Sequence, residues 1–370
     1  MDTDRIFQAV AEQHASDLFL KVGAPPFIRV NDRLTACGAQ PLGRTELLQF
    51  AYDLMGPERQ QLFHAQRELN FAFERKPLGR FRANVLWQRG SIALVIRRIQ
   101  ERSPNFETLN LPAAVLTRLA QERRGLVLIA GPTASGKSTT TAAILEHINQ
   151  TRACHIVTLE DPIEFLFTED RGVINQREVG VDTRSFSEGL KNVLRQSPDV
   201  LFLSDIRDRE TMDAALFAAE SGQLVLSCIH TTNALTTIER LVSFFPPHQH
   251  QTIRFRLSLV LKGLVCLRLL PRCDADGQIP ACEILVMTPT IRELLREGKT
   301  EQIPALLHEG SLHGMQTMTQ ALYRLVRAGR VSAEDARTAA DSPEELELAL
   351  REIRTAKDAS NPDPVSGSTA

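Results

Sequence analysis

The chain has 370 residues, 43% of them apolar, with 45 acidic and 43 basic side chains and a formal net charge of -2. That length suits two or three domains, each with its own core, and the composition excludes a disordered chain. The near-neutral balance argues against a dedicated nucleic-acid binder, which carries a basic excess.

The first hundred residues read as a small α+β domain. "ASDLFLKVG" and "FIRVNDRL" are short strands, the second meeting an Asn31-Asp32 turn. "ELNFAFE" turns Leu69, Phe71 and Phe73 inward, and Lys76 to Gly79 makes a hairpin connection. In "GRFRANVLWQRG", Phe81, Ala83, Val85 and Trp87 share one face, and Arg80, Arg82 and Asn84 share the other. "ALVIRRI" places Arg97 and Arg98 at the end of a further strand. The polar, Pro-punctuated "QERSPNFETLNLP" reads as a linker, and Pro112 as the first residue of a helix running to Gly125.

Beyond it, the continuous apolar runs "GLVLIA", "HIVTLE", "DVLFLS" and "QLVLSCI" alternate with helical stretches. This pattern suits a parallel sheet covered on both faces, in an α/β nucleotide-binding core. After "FFPPHQH" the chain is expected to turn helical. Thr288-Pro289 opens one helix and Gly298 ends it; Ser342 to Glu345 forms a capping box for the last helix. The final "KDASNPDPVSGSTA" is small, polar and Pro-rich, the composition of a disordered tail.

"GPTASGKST" follows one apolar run and precedes a helical stretch, so Gly131-x4-Gly136-Lys137-Ser138 is a complete phosphate loop in its strand–loop–helix setting. Its glycines let successive N–H groups face phosphate oxygens, and the helix adds its positive N-terminal end. Lys137 is placed to reach the β- and γ-phosphates and the Ser138 hydroxyl to ligate Mg²⁺. No guanine-reading NKxD segment exists, which favours ATP over GTP. Acidic or His-bearing strand ends supply candidates for aiming water: Glu160, Asp161 and Glu164 after "HIVTL", Asp205 after "DVLFLS", and His230 after "QLVLSCI".

In order along the chain these segments resemble the secretion-type ATPases of type IV pilus retraction, the PilT and PilU family. "GPTASGKSTT" is similar to the family's Walker A, "TLEDPIEF" to its Asp box and "SPDVLFLSDIRDRET" to its Walker B. "SGQLVLSCIHTTNALTTIERLVSFFP" is similar to its His box. "IRRIQ", "LSLVLKGL" and "AADSPEELELAL" lean toward the PilU branch.

The resemblance implies an N-terminal PAS-like α+β domain (1–100), a linker (101–112), a RecA-like P-loop NTPase core (113–285), a helical C-terminal region (286–355) and a disordered tail (356–370). It implies a nucleotide cradle of Gly131, Pro132, Thr133, Ala134, Ser135, Gly136, Lys137, Ser138 and Thr139 for ATP with Mg²⁺. Glu164 becomes the Asp-box glutamate, Asp205 stands where the Walker B glutamate belongs, and Arg82 and Arg97 match arginines that approach the γ-phosphate. The expected assembly is a homohexamer, alone or layered with a PilT-type ring, driving the inner-membrane pilus platform protein. Its expected location is cytoplasmic, at the inner face of the membrane, with no transmembrane segment and no nucleic-acid partner. The six cysteines form no CxxC pair, which fits reduced thiols rather than a zinc site.

Three departures stand out. Ala134 replaces a usual glycine, tolerable if its φ stays negative. Gln223 replaces the first His-box histidine and cannot take up a proton. Asp205 replaces glutamate and withdraws its carboxylate by about 1.5 Å; misplacement of about 1 Å costs on the order of a hundredfold in rate. Slow hydrolysis is therefore expected, the alternative being a nucleotide-binding accessory ring that supports a PilT partner. An assembly ATPase is disfavoured by the missing cysteine-rich insert, and a small-molecule kinase by the matched motifs.

Overall fold

The computed structural model describes residues 3–13, 15–30, 33–99 and 105–360, so the Asn31-Asp32 turn, residues 101–104 of the expected linker and residues 361–370 of the expected tail lie outside it. The chain groups into two compact units.

The first unit begins with α1 (Thr3–Glu12), then β1 (Asp17–Lys21), β2 (Phe27–Val30), β3 (Arg33–Ala36), α2 (Arg44–Gln66), β4 (Glu68–Arg75), β5 (Gly79–Gln88) and β6 (Ser91–Arg98). Its strands form one antiparallel sheet in the order β3-β2-β1-β6-β5-β4. Alternation sends Leu18, Ile28, Phe81, Ala83, Val85, Leu94 and Ile96 into a core with Phe7 of α1 and Phe50 and Phe63 of α2. Helix α2 bends where Gly56 takes φ 67° ahead of Pro57. Ile163–Phe167 and Gly180–Arg184 also group with this unit.

The second unit holds α3 (Ala113–Ala120), β7 (Gly125–Ala130), α4 (Lys137–Thr151), β8 (His155–Glu160), β9 (Val173–Glu178), α5 (Phe186–Val193), β10 (Val200–Leu203), α6 (Arg209–Glu220), β11 (Leu224–Ile229) and α7 (Ala234–Ser243). It continues with α8 (His250–Val260), β12 (Leu261–Pro271), β13 (Gln278–Val286), α9 (Pro289–Glu297), α10 (Ile303–Glu309), α11 (Met318–Arg327), α12 (Ala333–Ala339) and α13 (Pro343–Ser360). Seven strands run in the order β13-β12-β7-β11-β10-β8-β9. All pair in parallel except the edge strand β13. Every residue of β7, β10 and β11 is buried, as a sheet covered on both faces requires.

Several expectations need correcting. Pro112 is the N-cap of α3 rather than its first residue, and that helix stops at Ala120, before the turn that leads into β7. The stretch after "FFPPHQH" is not wholly helical: α8 passes directly into β12, which pairs with β7 and β13. The last helix extends through Ser360, so residues 356–360 are helical and not part of a disordered tail. The caps at Thr288 and Gly298 lie where expected, and the Ser342 hydroxyl accepts from the Glu345 N–H. All six cysteines are free thiols, with Cys228, Cys266 and Cys282 buried. Among the described residues no helix is long and apolar enough to cross a membrane.

Candidate active site

Four adjacent parallel strands, β7, β11, β10 and β8, deliver the candidate groups of the second unit to one edge of the sheet. Parallel register does this: Ala130 lies beside Ile229, Ser227 beside Leu203, and Leu203 beside Leu159. The residues that follow, from the phosphate loop, His230, Asp205 and Asp161, therefore emerge side by side, where open α/β sheets bind ligands.

The phosphate loop turns between β7 and α4 with Gly131 at φ 154° and Gly136 at φ 92°. A Cβ on Gly131 would stand 2.3 Å from Ser135 Oγ and 2.8 Å from Leu267 O, so only glycine fits there. Lys137 is buried, and its ammonium donates to Gly131 O at 2.9 Å and Pro132 O at 2.7 Å. Ala134 takes φ 62°, contrary to the negative φ on which its harmlessness depended. Its methyl therefore sits in the left-handed region, which costs about 1–2 kcal/mol for a residue with a Cβ.

From Lys137 a chain of polar contacts crosses the strand ends. Lys137 Nζ lies 3.4 Å from His230 Nδ1, and His230 Nε2 lies 3.5 Å from Asp205 Oδ2. One neutral tautomer serves both, with Nδ1 accepting from the ammonium and Nε2–H aimed at the carboxylate. Arg207 Nε donates to the same Asp205 Oδ2 at 3.0 Å, and its Nη1 reaches Asp161 Oδ2 at 3.3 Å. Burial pulls the Arg207 pKa down, but its hydrogen bond to Asp205 and the charges of Asp205 and Asp161 outweigh this and raise it above its ordinary value. The Asp205 side chain is only 10% exposed, and its Oδ1 is buried with no hydrogen-bond partner among the described residues.

Glu160 is committed elsewhere: buried, it accepts from Thr158 Oγ1 at 2.6 Å and Gln176 Nε2 at 3.2 Å. Gln223 precedes β11, whereas His230 follows it, so six residues of strand, about 20 Å, separate them. Gln223 thus stands at the opposite edge of the sheet from Lys137. Arg82, Arg97 and the exposed Glu164 belong to the first unit. There Arg82 and Arg97 are cross-strand partners, and Arg97 is salt-bridged to Asp17.

Sequence reasoning missed two residues, Arg207 in the second unit and Asp17 in the first. Arg207 carried a signal, an arginine two places after the Walker B acid, but its bridge to Asp161 depends on β8 being the neighbour of β10. Asp17 was hidden inside a stretch read only as a strand.

Residues 65–340 match the family described as type II/IV secretion system protein. The chain is 38% identical over 351 residues to the type IV pilus ATPase PilU of Pseudomonas aeruginosa, covering 95% of this chain and 92% of that one. It is 40% identical over 344 residues to the pilus retraction ATPase PilT of the same organism, covering 93% and 99%. Among solved structures it resembles the pilus retraction motor PilT with bound ADP, with TM-score 0.87, 41% identity and coverage of 93% and 98%. The Legionella pneumophila ATPase DotB is similar at TM-score 0.76 and 26% identity, covering 91% of this chain and 94% of that one.

Proposed function

The chain belongs to the type II/IV secretion system protein family, and we propose that it is an ATP-hydrolysing motor of the pilus retraction type. The observation that carries this is the continuous line from Lys137 through His230 to Asp205 beside a glycine-built phosphate loop. It pairs a phosphate cradle with a carboxylate whose Oδ1 is free to accept a hydrogen bond from water.

Lys137 binds the β- and γ-phosphates, and the loop's N–H groups hold the remaining oxygens. Asp205 orients the attacking water, with His230 between it and the ammonium. Arg82 and Arg97 supply cationic donors toward the γ-phosphate, since guanidinium planes suit multi-oxygen anions. Glu164 of the Asp box completes the set. Mg²⁺ fits this site: the Ser138 hydroxyl at the start of the helix after the phosphate loop is a hard oxygen that would hold it. When bound, it supplies neutralisation of developing phosphate charge.

The assembly we propose is a cytoplasmic homohexamer at the inner face of the membrane, acting on the pilus platform protein, alone or beside a PilT-type ring. Turnover is slow, because Asp205 is one carbon shorter than glutamate. Phosphate release from the purified chain tests the activity; it should require Mg²⁺ and vanish in Lys137→Ala. Restored twitching in a retraction-deficient cell tests the direction of pilus movement.

A second function, an accessory ring with little hydrolysis of its own, is favoured by the engagement of Asp205 Oδ2 with Arg207. A silent wild type that Asp205→Glu awakens supports it; brisk wild-type turnover excludes it.

A further inference from the structure

Asp205 has two carboxylate oxygens in very different surroundings. Both nearby donors address the same one: Arg207 Nε at 3.0 Å and His230 Nε2 at 3.5 Å meet Oδ2, while Oδ1 is buried without a partner. A free aspartate side chain would turn its second oxygen toward any donor in reach, because an unpaired buried acceptor is costly. Something must therefore hold the carboxylate in this orientation. His230 approaches from the β11 side at a longer distance, with about half its side chain exposed. Arg207 approaches from the β8 side at hydrogen-bond distance and is itself held by Asp161 across the neighbouring strand.

We propose that Arg207 is a positioning residue for Asp205: anchored on Asp161, it pins Oδ2 and so presents Oδ1 to the reacting water. This rests on the ATPase function proposed above and deepens it. The planar guanidinium suits the task, because Nε and Nη1 point along fixed directions and join two carboxylates without bending.

The test is steady-state ATP turnover of the full chain with Arg207→Gln, Asp161→Ala and the double variant, alongside binding of a fluorescent ADP analogue. We expect kcat of Arg207→Gln to fall at least about tenfold while KM and ADP affinity stay within about twofold, the pattern of lost positioning rather than lost binding. Asp161→Ala should lose less, and the double variant no more than Arg207→Gln alone, because Asp161 acts only through Arg207. Arg207→Lys keeps the cation but loses the fork; if Arg207→Gln folds poorly, Arg207→Lys should still lose kcat at wild-type melting temperature. Unchanged kcat, parallel loss of ADP affinity, or additive losses in the double variant overturn the proposal. Crystal structures of wild type and Arg207→Gln separate this from the ATPase function itself. A wild type without turnover sinks that function, yet a carboxylate at Asp205 that turns in the variant upholds the positioning role. An unturned one overturns it whatever the activity.

Discussion

Arg97 stands directly opposite Arg82 on the adjacent strand and directly opposite Asp17 on its other side, so one carboxylate sits in a row of cations across the first unit's sheet. Arg29 extends the row beyond Asp17, its Nε 3.4 Å from Oδ2. Like charges placed opposite each other are destabilising, and Asp17 relieves this. Its side chain is only 5% exposed, and it accepts from Arg97 Nε at 2.8 Å and Ser16 Oγ at 2.7 Å. The same contact fixes the direction of an arginine proposed to meet phosphate.

Asp17→Ala leaves Arg97 unpaired beside Arg82 and is expected to lower the stability of the first unit by about 1–3 kcal/mol. Trp87, the only tryptophan, stacks on Phe63 within that unit's core, so its fluorescence reports this unfolding selectively. A urea midpoint unchanged from wild type would show that Asp17 is dispensable.

Ala134→Gly is expected to stabilise the phosphate loop. Relief of the left-handed strain returns about 1–2 kcal/mol, while the added freedom of the unfolded chain costs about 0.4–1 kcal/mol. The net gain of roughly 0.5–1 kcal/mol corresponds to a rise of about 1–4 °C in Tm for a unit of this size. A lowered Tm in differential scanning calorimetry contradicts the strain at Ala134.

Gly131→Ala should abolish nucleotide binding rather than weaken catalysis. Its Cβ would collide with Leu267 O, a backbone atom that cannot swing aside as Ser135 Oγ can. Loss of fluorescent-nucleotide binding, with the melting of the first unit preserved, is the expected outcome; wild-type affinity contradicts it.

Much of this site is legible in the sequence because its chemistry is local. The glycine spacing from Gly131 to Gly136 and the unbroken apolar runs of β7, β8, β10 and β11 each announce themselves within a few residues. What the sequence hides is set by neighbours in space. Leu257, Val260, Leu261 and Leu264 recur at helical spacing with no glycine or proline at the junction of Val260 and Leu261, so the passage from α8 into β12 is invisible to periodicity. The left-handed φ of Ala134 is set by how the phosphate loop turns, which its residue type does not announce. The bridge of Arg207 requires knowing that β8 follows β10 in the sheet, an order that chain order does not reveal.

Glu283 makes stability depend on pH. It lies buried on β13 and accepts from the N–H of Ala234, the first residue of the helix that follows His230. Burial raises its pKa above the ordinary 4.5; the N–H bonds from Ala234 and Met318 and the charge of Arg268 lower it, and the charge of Asp341 raises it again, with a net upward shift. The native state therefore holds this proton more tightly than the unfolded chain does. Its contribution to stability is intact below about pH 4.5 and declines as pH rises through the folded value, by at most about 1.4 kcal/mol per pH unit. Glu283→Gln keeps an oxygen for the Ala234 N–H and removes the titration. Its stability relative to wild type should climb from pH 4.5 upward and then level off. Parallel melting curves for the two proteins across pH 4 to 8 would show that Glu283 carries no such linkage.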